Sequence, residues 1–296
     1  MKMCLNILWI LSILSSVCLG IVCLISFFEN RKLVIHQYKI KNKKITGKFH
    51  GLKIVHLSDL HNASFGRENE KLIDRIKALQ PDVIVATGDF VIGKPNQDVF
   101  HAAKTLNRLS EIATVYFSLG NHELRMKIYP DVYGDMWNQF YSALNQDIIL
   151  LQDQTVWLQK ENDKIAIHGL SLSPELYQRF RKMPMKEGYL EERFGKCSED
   201  AFHIFMAHNP DYFDEYVKWG ADLTFAGHIH GGMIRLPVLG GMISPMVRFF
   251  PKYDKGIFKQ KNKYMILSGG LGNHTLKFRV NNLPEIVMVL LESASN

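Results

Sequence analysis

Five short apolar runs in this chain each end in side chains able to bind a metal, and that recurrence constrains the fold more than any other feature. Asp59 and His61 follow "LKIVHLS", Asp89 follows "DVIVATG", and Asn121 and His122 follow "ATVYFSLG". His208 follows "AFHIFMA", and His228 and His230 follow "DLTFAG" at single-residue spacing. Between the first three runs lie amphipathic helical patterns at residues 68–80, stopped by Pro81, and at 98–110. A β-α-β-α-β alternation of this kind implies a largely parallel sheet covered by helices, whose strands converge at their carboxyl ends on one crevice. Further runs at 165–170, 264–270 and 285–291 supply more strands than one small sheet holds. Two sheets packed face to face are therefore expected.

The convergent donors comprise two carboxylates, one amide and five imidazoles. A single zinc site is filled by three or four donors. Two cations roughly 3.5–4 Å apart need a bridging anion, which a carboxylate on a tight Gly-Asp turn can supply, and Asp89 is the natural candidate. Mixed oxygen and nitrogen donors suit Mn, Fe or Zn. Gly227 and Gly231 flank the His228-Ile229-His230 stretch and let its two imidazoles diverge, one towards each ion.

Taken in order, Asp-x-His, Gly-Asp, Gly-Asn-His-Glu, His and Gly-His-x-His resemble the calcineurin-like metallophosphoesterase family, across residues 54–231. The resemblance implies an α/β fold: a four-layer αββα sandwich of two mixed β-sheets flanked by helices. It implies one metal held by Asp59, His61, Asp89 and His230, a second held by Asp89, Asn121, His208 and His228, and His122 as the catalytic residue facing the leaving group. The implied reaction is hydrolysis of a phosphoric ester by a hydroxide generated between two divalent ions. Protein phosphatases of the family carry a second Asp that orients the catalytic histidine; Ile92 occupies that position here, which argues against protein phosphatase activity and leaves the orientation of His122 open. The stretches 227–245, 269–274 and 281–291 are similar to a bacterial membrane-anchored branch that includes UDP-2,3-diacylglucosamine pyrophosphatases. A phosphodiester or pyrophosphate substrate, lipid or nucleotide-lipid, is the expectation.

Residues 4–28 contain no charged residue and no proline. As a helix they reach about 37 Å, more than the roughly 30 Å of a hydrocarbon core. Without an A-x-A-like cleavage site the stretch reads as an uncleaved, single-pass transmembrane anchor. The expected organisation is an anchor at 1–30, a basic juxtamembrane linker at 31–51 and a phosphoesterase domain at 52–296. Residues 31–53 hold eight Lys/Arg and no acid, whereas 54–296 hold 27 basic and 28 acidic residues. The basicity therefore points to anionic lipid headgroups. Because the domain offers no broad basic groove, a nucleic-acid partner is disfavoured. A nuclease or nucleotide phosphodiesterase of the same fold is the alternative, and the charge balance weighs against the nuclease. A non-catalytic membrane-tethered binding protein, the other alternative, predicts lost ligands, and none is lost. The positive-inside rule puts the domain on the cytoplasmic face of the cell membrane. Only Cys197 lies outside the apolar stretch, so no disulfide forms within the domain.

Residues 233–259 interleave apolar and basic side chains, as expected of a loop that admits an acyl chain, touches the bilayer or folds onto the domain itself. Histidines 36, 50, 56, 101, 168, 203 and 274 read as structural or solvated, Asn62 and Arg67 as solvated, and Arg279 as either a phosphate contact or a surface charge.

Overall fold

The computed structural model describes residues 2–273 and 278–294. Helix α1 (Lys2–Glu29) precedes a domain whose first half contains strands β1 (Val34–Asn42), β2 (Lys53–Leu57), β3 (Val83–Ala86), β4 (Thr114–Ser118) and β5 (Ile149–Leu151). Helices α2 (Glu70–Leu79), α3 (Phe100–Ser110) and α4 (Asn121–Ile128) connect them. The second half contains β6 (Gln154–Lys160), β7 (Asp163–Leu170), β8 (Phe202–Ala207) and β9 (Leu223–Ala226). After a short ribbon of β10 (Arg235–Leu236) and β11 (Gly240–Gly241) come β12 (Gly256–Gln260), β13 (Lys263–Leu267) and β14 (Glu285–Ser293).

Two six-stranded sheets result, ordered β1-β14-β2-β3-β4-β5 and β12-β13-β9-β8-β7-β6. In the first, β2 to β5 are parallel, while β14 returns from the end of the chain to pair antiparallel with β2 and parallel with β1. The second is parallel from β13 through β9 and β8 to β7, with antiparallel edges.

Period-two alternation explains why both faces of each sheet are covered. Val55 and Leu57, Ile84 and Ala86, and Val115 and Phe117 face a core shared with Leu72 and Ile76 of α2 and Leu106 of α3. Their neighbours Ile54, Val83, Val85 and Tyr116 turn the other way, onto Ile165, Ile167, Ile204 and Phe225 of the second sheet. Beyond that sheet, Leu170, Phe205 and Ala207 pack against Tyr212, Tyr216 and Trp219 around the helix Phe213–Trp219. Each fully buried aliphatic side chain contributes about 1.5–3 kcal/mol relative to exposure. The layers are thus helix, sheet, sheet, helix, the arrangement expected from the sequence.

The segment read as a basic linker differs. Val34–Asn42 is a strand, paired along its whole length with β14. Ile40 is buried between exposed Lys39 and Lys41, and both lysines reach Glu292, at 2.9 and 3.4 Å. Charge alone hides an edge strand of this kind, where lysines also discourage strand addition by another chain. Helix α1 is long and apolar enough, over Leu8–Glu29, to cross a membrane.

Candidate metal centre

The eight expected donors follow β2, β3, β4, β8 and β9, and each is at most 7% exposed. They leave the strands through strained turns: Asp59, His61, Asp89, His228 and His230 have φ of 54°, 44°, 56°, 72° and 53°. Left-handed backbone at non-glycine residues costs on the order of 1–3 kcal/mol each, and such strain clusters at functional sites. Glycine permits the close approach. A Cβ on Gly120 would lie 2.2 Å from Asp89 Oδ1, and one on Gly227 would lie 1.9 Å from Ser58 Oγ.

Three groups of donors gather within 4.8 Å of one another: Asp59, His61 and His230; His61, Asp89 and His122; and Asp89, His208 and His228. His230 Nε2 lies 3.3 Å from Asp59 Oδ1 and 3.2 Å from His61 Nε2, the two rings being stacked. His208 Nε2 is 3.0 Å from Asp89 Oδ2, and His61 Nε2 is 3.8 Å from the same oxygen. Donors that share one ion at bonds of about 2.1 Å stand roughly 3–3.5 Å apart, so these spacings suit metal ligation.

Two further observations fit a bound cation. Asn121 Oδ1 and His228 Nε2 are buried without a hydrogen-bond partner among the described residues, which costs about 1–3 kcal/mol for each polar atom unless something occupies the space they face. The outer nitrogens of the other rings are held by backbone carbonyls: His61 Nδ1 by Val91 at 3.2 Å, His208 Nδ1 by Thr87 at 2.6 Å, and His230 Nδ1 by Gly272 at 3.0 Å. Metal-ligating histidines are characteristically fixed in this way, which leaves Nε2 with its lone pair directed inward.

The electrostatics are divided. Burial opposes the charge on Asp89, but the imidazoles of His208 and His122 outweigh it and hold the carboxyl well below its usual range. Burial likewise opposes charge on His208, yet Asp89 and Asp59 raise it to about 9. Burial pushes His122, His228 and His230 down.

Sequence reasoning left the orientation of His122 open, and the structure supplies it: the Gly93 amide donates to His122 Nδ1 at 2.7 Å. In the neutral ring the proton then sits on Nε2, 3.9 Å from Asp89 Oδ2. Glu123 is a second residue that sequence reasoning missed. Its buried carboxyl accepts from the amides of Asp89, Phe90, Val91 and Gly120 at 2.8, 2.7, 3.1 and 3.0 Å, and so fastens the Asp89 turn to the start of α4. The signal was present, since a Glu three residues into a helix reaches back to the N-cap amide. Burial and Asp89 raise its pKa to about 7.

A cleft of about 150 Å³ opens over His122, Asn121 and His228, rimmed by Lys94, Arg125 and Arg179. None of these three cations has an ion pair among the described residues. A larger pocket, of about 660 Å³, lies by Tyr189 and Trp219 on the outer side of the second sheet and holds none of the donors.

Arg279 is neither a phosphate contact nor a surface charge. It is fully buried and donates to the carbonyls of Gly269, Gly270, Gly272 and Asn282. Arg67 is exposed, and Asn62 bonds the Asp98 carbonyl at 2.6 Å. His56 meets Thr87, His101 meets Asn69, and His168 meets His203. His36 lies 3.4 Å from Glu285, and His50 accepts from the Ser293 amide. His274 lies outside the described residues.

Residues 52–232 match the family described as calcineurin-like phosphoesterase. The putative metallophosphoesterase F40B5.2 of Caenorhabditis elegans is 25% identical over 267 residues, 87% of this chain; the chain spans about half, 52%, of that protein's length. The UDP-2,3-diacylglucosamine pyrophosphatase LpxG of Chlamydia trachomatis is 24% identical over 290 residues, covering 81% of this chain and 83% of LpxG. The phosphodiesterase YaeI of Escherichia coli is 25% identical over 246 residues, covering 81% of this chain and 82% of YaeI.

Proposed function

The chain belongs to the calcineurin-like phosphoesterase family and is a metal-dependent phosphoester hydrolase, and from that premise we propose that it is a membrane-anchored enzyme cleaving a phosphodiester or pyrophosphate bond of a lipid or nucleotide-lipid substrate. The observation that carries this reading is Asp89, whose carboxylate is common to two of the three donor groups. One divalent cation would be held by Asp59, His61, Asp89 and His230, and a second by Asp89, Asn121, His208 and His228. When bound, the pair activates water and neutralises charge developing on the phosphoryl oxygens.

The chain's own residues do the rest. His122, kept neutral by burial and given its tautomer by Gly93, donates the Nε2 proton to the departing oxygen, for an expected factor of roughly 10²–10⁴ in rate. Lys94, Arg125 and Arg179 offer unpaired positive charge to a second phosphate or to the diester oxygens. That rim favours a substrate with more than one negative charge, as a pyrophosphate has.

Exposed Val238, Leu239, Phe249 and Phe250 in the loop 233–259 support a lipid contact. The loop's cations support it less, because Arg235, Arg248, Lys252 and Lys255 are paired with Asp254, Asp211, Asp214 and Glu285. In the basic segment 31–51, Lys39, Lys41, Lys44 and Lys48 are paired, which leaves headgroup contact to Arg31, Lys32 and Lys43. With α1 in the bilayer, those residues favour a cytoplasmic domain.

The test uses the full-length chain in mixed micelles, stripped of metal and titrated with Mn²⁺. Turnover of a chromogenic phosphodiester, a phosphomonoester and a lipid-linked diphosphate diester is compared. Metal-dependent cleavage of diesters, fastest for the lipid diphosphate, is expected. Bound metal with no turnover of any of the three would favour the binding-protein reading, and a preference for the monoester would overturn the substrate class.

A further inference from the structure

The carboxyl end of α1 does more than lead into the domain. Ser26 is only 3% exposed, and its Oγ accepts from the Arg279 amide at 2.9 Å. The Glu29 carboxylate accepts from two successive amides, Asn281 at 3.1 Å through Oε1 and Asn282 at 3.2 Å through Oε2. These contacts tie residues 252 and 253 positions apart in the chain. They end on the segment that supports His230.

Two routes connect them. Asn282 Nδ2 donates to the His230 carbonyl at 2.6 Å. The Arg279 guanidinium donates to the Gly272 carbonyl at 3.0 Å, and that same oxygen lies 3.0 Å from His230 Nδ1. Gly272 also touches the other ligand turn, its amide donating to the Asp59 carbonyl at 2.6 Å. Arg279 gathers four carbonyls, with no carboxylate among its hydrogen-bond partners in the described residues, so its place in the loop depends on backbone held elsewhere.

We propose that the foot of α1 is a positioning element of the catalytic centre, with Ser26 and Glu29 holding residues 279–282 and these in turn holding His230 and the Asp59 turn. The anchor is then part of the site's scaffold as well as its tether. A fragment lacking Ser26 and Glu29 keeps every donor but loses the brace on one of the two proposed cation sites. The inference rests on the reading of the site as a two-cation centre.

The experiment compares full-length wild type, Ser26→Ala, Glu29→Gln and Glu29→Ala in detergent micelles. Mn²⁺ uptake is followed by electron paramagnetic resonance, and backbone hydrogen exchange is measured on the metal-free protein. In Glu29→Ala one Mn²⁺ equivalent should bind as in wild type and the other about ten-fold more weakly, as is found when a partner that orients a ligand is removed. Amides 281 and 282 and those of 269–272 should exchange faster, while those of β8 and β9 stay protected. Glu29→Gln, which keeps an acceptor, should fall between. Two equivalents bound as in wild type, or both weakened together in step with a fall in melting temperature, would overturn the proposal. A wild-type chain that takes up no cation pair would instead refute the two-cation reading, and the exchange of amides 269–272 would still decide whether the brace exists.

Discussion

Two clusters of buried histidines lie among the described residues, and one of them gathers donors close enough to share a cation. On the neighbouring strands β7 and β8, His168 and His203 stack with ring centroids 5.1 Å apart and share a hydrogen bond of 2.9 Å. Thr155 closes the chain at one end, at 2.7 Å, and Ser198 at the other, at 3.2 Å. All four ring nitrogens are thus satisfied by neutral partners. At the strand ends, His61, His208 and His230 are held from outside by backbone carbonyls, and their other nitrogens converge on Asp59 and Asp89. Burial of imidazole is common to both clusters. The direction of the inner ring nitrogens and the carboxylates they face separate them.

The sharpest way to break the contrast is to remove the proposed bridge. Asp89→Asn should abolish binding of at least one cation and reduce turnover to background, whereas His203→Leu should leave two Mn²⁺ per chain and turnover within about two-fold of wild type, because mutations at distant sites seldom couple. Elemental analysis beside diesterase rates decides it; an active, fully loaded Asp89→Asn protein would sink the bridging role. His122→Ala should come next in size, with both cations kept and kcat reduced by roughly 10²–10⁴. Loss of metal in that variant would make His122 a ligand and return the leaving-group role to an open question.

The contrast also marks how far the chain could be read unaided. Strands and the donor-bearing turns were legible because period-two burial and donors at strand ends are local patterns, and the structure brings the eight expected side chains together. The partners of those donors were not. Gly93 acts through its backbone amide, which no residue type announces. Glu123 looks like an ordinary helix-start acid until the Asp89 turn is seen to fold over it. Arg279 carries a charge that suggests solvent or phosphate, and only the fold reveals four carbonyls around it. Strand β1 was hidden by its lysines, and its pairing with β14 joins residues too far apart for any local pattern to register.

Glu123 provides a prediction of intermediate size. Its carboxyl organises four amides, so Glu123→Leu would leave them unsatisfied and should cost several kcal/mol of stability, at about 1–3 kcal/mol for each group. Glu123→Gln keeps one acceptor oxygen and should fold, with cation affinity reduced about ten-fold and the loss shared by both sites, because the turn it supports carries Asp89, the proposed bridge. Unchanged affinity in Glu123→Gln would mean that the turn holds itself without this carboxylate.

The smallest expected effect belongs to the satisfied pair, and it is one of pH. Burial lowers the His168 pKa to about 3, against 6.5 when exposed. Between those values the unfolded chain binds a proton that the folded chain does not, so the folded state is favoured fully above pH 6.5 and loses ground as pH falls towards 3. One such group contributes at most about 1.4 kcal/mol per pH unit. His168→Phe removes the group, so the gap in unfolding free energy between wild type and variant should narrow by up to about 1 kcal/mol from pH 6.5 to 5.5. The comparison must use metal-free protein, because ligands that take up protons also release cations over the same range and would add a slope belonging to the other cluster. A gap that stays constant with pH would show that His168 titrates alike in the folded and unfolded chains, and the distinction between a closed hydrogen-bonded pair and an open ligand cluster would then lose its electrostatic half.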